Sequence, residues 1–244
     1  MKALILAAGR GRRLGRVSSG INKCMLEVAG RPLIEYSLDC ASVLGPIEEI
    51  IVVVGYRAED IIDRYGHRYN GKAIRYVEQK EQRGLVDAIA CAGDALQGCD
   101  FTLMLGDEFM FNPRHREFIE EFQRQGEDIF ALCGVILVGE RDLIRKTYAV
   151  IQLEDGRVSR LIEKPNHPFN NMMGTGNCLF KNEILDYIPQ TPINQKRIEK
   201  ELPDLIQCAI DDGRLVKPFI ICSEYVNVNS PEEWDRTKSY FAHL

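Results

Sequence analysis

The sequence predicts an α/β fold: a mixed, mainly parallel sheet covered by helices on both sides, with an inserted antiparallel portion. Three observations predict it. Apolar runs at 3–7, 50–54 and 101–105 are short, rich in β-branched and large apolar residues and bounded by turn signals, the pattern of buried strands. Helical patterns lie between them, and strands alternating with helices imply crossover units and parallel pairing. From Tyr148 onward the pattern changes to alternating or apolar segments joined by hairpin chemistry.

The elements follow in order. The strand at 3–7 empties into Gly9-Arg10-Gly11-Arg12-Arg13. A helix at 32–44 opens on Pro32, whose fixed φ suits a first turn, and stops before Gly45-Pro46. After the strand at 50–54 comes a helix at 84–96, where Leu85, Ala88, Ile89, Ala92 and Leu96 share one apolar face. The strand at 101–105 runs into Gly106-Asp107. Segments 148–153 and 157–163 make a hairpin through Glu154-Asp155-Gly156, followed by a strand at 175–180, a helix at 199–212, a strand at 215–222 and a helix from about 231. No Pro/Gly/Ser-rich linker or repeat interrupts the chain, so residues 1–244 are expected to form one domain.

Composition narrows the function. Hydrophobic residues make up 45% and charged residues 27%, ordinary for a folded globular chain. A net charge of −5 argues against general nucleic-acid affinity, which draws on a basic face. The eight cysteines show neither Cys-x-x-Cys pairing nor a histidine at metal-ligand spacing, and read as small buried hydrophobes. With no signal peptide and no membrane span in the pattern, a reducing cytoplasm is the expected location. The sequence leaves a homo-oligomer open.

The loop after the first strand points to a polyphosphate. Gly9 and Gly11 carry no Cβ and let backbone N–H groups approach a ligand, while Arg10, Arg12 and Arg13 bring guanidinium groups. The loop lacks the Lys-Ser/Thr of a P-loop and the third glycine of a dinucleotide-binding turn. Asp107, at the end of a central strand, can offer a hard oxygen to Mg²⁺, which keeps several waters and takes one or two protein ligands beside substrate phosphates. A second hard oxygen is available in Val226-Asn-Val-Asn-Ser-Pro231, through Asn227; Asn229 could instead cap the following helix. In Glu163-Lys164-Pro165 a carboxylate and an ammonium can both reach a cleft where the chain bends. Gln79 carries both a donor and an acceptor suited to the edge of a base, and backbone at Gly84 can come close to the ring.

Together these segments resemble the sugar-1-phosphate nucleotidyltransferases, most closely the glucose-1-phosphate thymidylyltransferases and uridylyltransferases. The resemblance rests on Gly-x-Gly-x-Arg-Leu with Lys23 nine residues beyond Leu14, on Gln79 with Gly84-Leu85, on Asp107, on Glu163-Lys164-Pro165 and on Arg197-Ile-Glu-Lys-Glu-Leu-Pro-Asp204. It implies a three-layer Rossmann-like fold and Mg²⁺ held by Asp107 and Asn227. It implies a nucleotide site of Leu6, Ala7, Ala8, Gly9, Arg10, Gly11, Arg12, Arg13, Lys23, Gln79, Gly84 and Asp107. It also implies an acceptor site of Glu108, Tyr148, Ala149, Glu163, Lys164, Thr175 and Gly176, with Arg13, Lys23, Asp107 and Lys164 carrying the chemistry. The helix start at Arg197 reads mainly as structural.

Several residues depart from the family pattern. Arg16 and Asn22 replace prolines, Glu108 replaces an asparagine, Ala149 a glycine, and Asn227 stands where many relatives carry aspartate. The Ala149 methyl is expected to crowd the acceptor, which opens an unusual acceptor such as an amino-alcohol phosphate or phosphonate. The substrates implied are a nucleoside triphosphate and a phosphorylated small molecule, most simply a sugar 1-phosphate. A cytidylyltransferase for a non-sugar phosphate and a non-catalytic regulatory subunit are the other two readings.

Overall fold

The computed structural model describes residues 1–11, 13–15 and 20–241, so Arg12 and Arg16 lie outside the described residues. The apolar run after Lys2 becomes the centre of a ten-stranded sheet. Strands β1 (Lys2–Leu6), β2 (Glu49–Val54), β3 (Arg68–Tyr69), β4 (Lys72–Glu78) and β5 (Phe101–Leu105) build its first part. β1 lies between β2 and β5, β2 between β1 and β4, all parallel, and β3 closes that edge antiparallel to β4. β6 (Glu108–Phe111) then leaves the sheet.

The antiparallel portion is hinged on one long strand. After β7 (Ala131–Leu137), β8 (Tyr148–Gln152) and β9 (Val158–Glu163) form the hairpin, and β10 (Met172–Phe180) pairs antiparallel with β8, with β7 and with β5. The register of β10 shifts between Gly174 and Cys178, an irregularity that bends the strand where Thr175 and Gly176 stand. β11 (Val216–Ile220) pairs parallel with β7, and β12 (Glu224–Asn227) pairs antiparallel with β6 as a separate ribbon.

Alternation along β1 sets the layers. Ala3 and Ile5 pack with α1 (Leu33–Val43), α2 (Ala58–Tyr65) and, through Phe118, with residues of the helix at His115–Gln125. Leu4 and Leu6 face Val86 and Ile89 of α3 (Leu85–Cys91), with Leu205 and Ile206 of the helix at Leu202–Asp211 in the same core. In chain order the latter two helices are α4 (His115–Gln125) and α5 (Leu202–Asp211), followed by α6 (Pro231–Phe241). Leu4 and Ile5 are fully buried on opposite faces, each worth about 1.5–3 kcal/mol relative to exposure.

The structure departs from the sequence expectation at several elements. α2, α4, β4 and β7 were not anticipated. β4 alternates polar and apolar residues near an edge, and β7 contains Gly134, which reads as a breaker; here a Cβ on Gly134 would lie 2.6 Å from the Asn177 carbonyl oxygen, so glycine serves close strand approach. The helix expected at 84–96 divides at Ala92 into Leu85–Cys91 and Gly93–Leu96. The helix expected from 199 begins at Leu202, because Glu199–Lys200 pairs with Ile193–Asn194.

Candidate active site

The parallel strands β1, β2, β4 and β5 end on one side of the sheet, where ligands of open α/β sheets bind. Two cavities open there, of about 340 Å³ and 210 Å³. Arg13, Leu85, Leu105, Arg197, Glu199 and Asn229 line both, so the two adjoin.

Leu6, Ala7, Ala8, Gly9, Gly11, Arg13, Lys23, Gln79, Gly84 and Asp107 line the larger cavity. Gly11 adopts φ +63°, and a Cβ there would lie 2.9 Å from Lys23 Cβ, so the loop closes over the lysine only with glycine. Arg10 does not line the cavity; its guanidinium stacks 5.4 Å from the centre of the Tyr56 ring. Arg12 lies outside the described residues.

Asn22 holds this loop in place, a role the sequence did not signal. Its buried amide donates to the carbonyls of Ala7 at 3.0 Å and Tyr56 at 2.7 Å and accepts from the Cys24 N–H at 2.8 Å. The short turn Lys23–Met25 is therefore tied to the ends of β1 and β2. Replacing Asn22 by alanine leaves two buried carbonyls and one N–H without partners, each with a desolvation cost. Asn22→Ala is expected to cost about 2 kcal/mol and lower the melting temperature by roughly 4–8 °C, readable by calorimetry.

Lys23 is buried, and its ammonium pairs with the Asp107 carboxylate and donates to Asn229 Oδ1 at 2.7 Å. Arg13 donates to the same Asn229 oxygen at 2.9 Å. Asn229 Nδ2 in turn donates to Asn227 Oδ1. The cap of α6 falls to its neighbour, where Ser230 Oγ accepts from the Glu233 N–H at 3.3 Å. Asp107 and Asn227 thus offer two hard oxygen donors linked through Lys23 and Asn229, with the Arg13 guanidinium on the same Asn229 oxygen. A divalent ion whose remaining ligands are waters and substrate phosphates fits such a donor set. Among the described residues no group of three or more His, Cys, Asp or Glu converges on one point.

At the far end of the larger cavity, Gln79 is buried, and its Nε2 donates to Gly84 O at 3.1 Å and to Asp87 Oδ2 at 2.8 Å. With both amide hydrogens committed to acceptors, the network fixes the amide so that Oε1 is the group offered to a ligand.

Glu108, Tyr148, Glu163, Lys164, Thr175 and Gly176 line the smaller cavity. Lys164 has φ +41°, so the chain turns in the left-handed region and not in the extended form usual before proline. The turn lets Lys164 Nζ donate to Glu163 Oε1 at 2.8 Å. Tyr148 donates to the Thr175 carbonyl at 2.9 Å, and Thr175 to the Gly134 carbonyl at 2.9 Å, so both hydroxyls brace the strand. Ala149 does not reach the cavity: strand alternation sends its methyl into the opposite core beside Met173 and Leu179, and it crowds no acceptor.

Glu108 is buried among donors. Gly176 N–H at 3.0 Å, Asn177 Nδ2 at 2.7 Å, Asn227 Nδ2 at 3.5 Å and the Tyr225 hydroxyl all reach its carboxylate. Burial, helped by the Asp107 charge, outweighs the Tyr225, Gly176 and Asn177 donors and leaves this carboxyl raised to about 8. Arg197 was read as structural, yet it lines both cavities and pairs with Glu163 at 3.3 Å, Glu199 at 2.6 Å and Glu201 at 2.9 Å. Glu201 is pushed up to about 7, first by burial and then by the Glu163 charge. Asn22, Asn229 and Arg197 escape sequence reading because each has a partner far along the chain: Ala7 is 15, Arg13 216 and Glu163 34 positions away.

The cleft thus combines a glycine loop, the cations of Arg13 and Lys23, the Asp107 carboxylate and a second polar cavity beside it. The Nucleotidyl transferase family model matches residues 2–225. The UTP-glucose-1-phosphate uridylyltransferase AglF of Haloferax volcanii is 35% identical over 98% of this chain and 95% of its own length. A glucose-1-phosphate thymidylyltransferase of Streptomyces griseus is 31% identical over 91% of this chain and 60% of its own length. A structure of UDP-glucose pyrophosphorylase complexed with UDP-glucose superposes with a TM-score of 0.86 at 19% identity, covering 99% of this chain and 98% of the other. The chain belongs to the nucleotidyl transferase family, and its fold is the Rossmann-like α/β fold of these enzymes. No helix among the described residues is long and apolar enough to cross a membrane.

Proposed function

We propose that this protein is a sugar-1-phosphate nucleotidyltransferase that joins UTP to a sugar 1-phosphate, glucose 1-phosphate foremost, and releases pyrophosphate. The observation that carries this reading is the junction of the two cavities, where Arg13, Lys23, Asp107, Asn227 and Asn229 meet. The similarity to AglF over nearly the whole chain supports uridine and glucose 1-phosphate as substrates. Neither a non-sugar acceptor nor a non-catalytic subunit finds comparable support, and the argument from Ala149 for an unusual acceptor falls with the position of its methyl.

The chemistry needs no general base. A phosphate monoester is largely dianionic at pH 7 and can attack the α-phosphorus directly, so catalysis reduces to alignment and charge neutralisation. The triphosphate lies along the Gly9–Arg13 loop, with Arg13 toward the leaving pyrophosphate and Lys23 on the reacting phosphates. Lys164 holds the acceptor phosphate, while Glu163 and Arg197 face the sugar. Asp107 and Asn227 would hold Mg²⁺, which when bound neutralises charge on the α-phosphate.

Gln79 selects the base. Its remaining group, the acceptor Oε1, complements the N3–H of uracil or thymine and would face a bare lone pair on cytosine N3. Pyrophosphate release across the five common triphosphates, each with glucose 1-phosphate, tests this. UTP and dTTP are expected to exceed CTP at least tenfold in kcat/KM. In Gln79→Ala, kcat/KM for UTP falls by about 10- to 100-fold and the margin over CTP narrows. A wild-type preference for CTP would contradict the assignment.

A further inference from the structure

The Asn229 side chain touches three of the groups assigned to nucleotide and metal, while the bond to the following helix comes from its backbone N–H, which donates to Glu233 Oε2 at 2.9 Å. Its Oδ1 accepts from Arg13 at 2.9 Å and from Lys23 at 2.7 Å, and its Nδ2 donates to Asn227 Oδ1. This sets an order of polarity through the junction. Two cations claim the oxygen of Asn229, so its NH₂ must face Asn227; the Asn227 NH₂ is turned to Glu108 Oε1 and the Tyr225 hydroxyl, both at 3.5 Å. The carbonyl oxygen of Asn227, the only part of that amide able to ligate a cation, is thereby turned toward Asn229, which lines both cavities.

We propose that Asn229 is a positioning residue that presets Arg13 and Lys23 for the triphosphate and aims the Asn227 carbonyl at the metal position. The proposal rests on reading this cleft as the nucleotidyl-transfer site. A neutral amide suits the task. It holds two cations without cancelling their charge, so at Arg13 the incoming triphosphate displaces a weak acceptor and not a competing carboxylate, while Lys23 also pairs with Asp107. A long, exposed arginine such as Arg13 otherwise pays rotamer entropy on binding, and Lys23 loses one of its two side-chain partners without Asn229.

Asn229→Ala and Asn229→Ser test this, since neither side chain can bridge the cations to Asn227. In steady-state pyrophosphate release, the KM for UTP is expected to rise about tenfold in both, with KM for glucose 1-phosphate within twofold of wild type. Calorimetric titration of UTP in the presence of Mn²⁺ should show a matching tenfold loss of affinity. Melting temperatures should stay within a few degrees of wild type, because Ser230 caps α6. Unchanged UTP affinity in the folded variants, or equal rises in both KM values, overturns the proposal and leaves the nucleotidyl-transfer reading standing. Absence of pyrophosphate release from the wild type overturns that reading itself.

Discussion

Lys23→Ala and Asp107→Ala should each lower turnover by about 10²-fold or more, the usual cost of removing a preorganised charge from a transition state that is stabilised electrostatically. Lys23 is fixed on three sides: Gly11 closes over its Cβ, Asn22 anchors its turn, and Asp107 and Asn229 take its ammonium. Since the lysine and the carboxylate act as a unit, the double variant should lose less than the product of the two single losses. Turnover within threefold of wild type in both single variants would end the mechanism. Melting curves within a few degrees of wild type would show that the losses are chemical and not structural.

Gly174→Ala should produce the largest loss of stability. A Cβ at Gly174 would sit 2.0 Å from the Tyr148 ring, and that ring cannot retreat because it is buried and its hydroxyl is bonded to the Thr175 carbonyl. Overpacking of this kind costs about 1–3 kcal/mol and more where neither side can yield. A loss of roughly 3 kcal/mol is expected, a drop of about 6–12 °C for a chain this size. Because β10 carries Thr175 and Gly176 into the acceptor cavity, the KM for glucose 1-phosphate should rise while that for UTP changes less. Adding Tyr148→Ala restores room, so the double variant should be more stable than additivity allows. Additive losses would place the strain elsewhere.

The parts of the site that could be read in advance are those whose chemistry is local. Gly9, Gly11 and Arg13 stand out by composition and line the larger cavity, as does Asp107 where an apolar run ends, while Glu163-Lys164, opposite charges before a proline, line the smaller one. β1, β2 and β5 were legible because each is buried on both faces, which leaves a continuous apolar run. What could not be read depends on distant partners. Asn22 looks like any loop asparagine until Ala7 and Tyr56 close around its amide, and Arg197 looks like a helix-start charge until Glu163 arrives from β9. Arg10 looks like a phosphate ligand, but Tyr56 lies beside it and takes the guanidinium. Ala149 was expected in the pocket through the resemblance, as the residue in place of the family's glycine after Tyr148, but alternation along a strand sends neighbours to opposite sides.

Conversion of UTP and glucose 1-phosphate, followed by phosphorus NMR with and without Mg²⁺, tests the central claim most directly. UDP-glucose and pyrophosphate should appear in equal amounts, only with the metal present, and should form more slowly by about 10²-fold or more with Asp107→Ala. Protein that binds UTP in the cleft yet forms no UDP-sugar under these conditions would contradict the account.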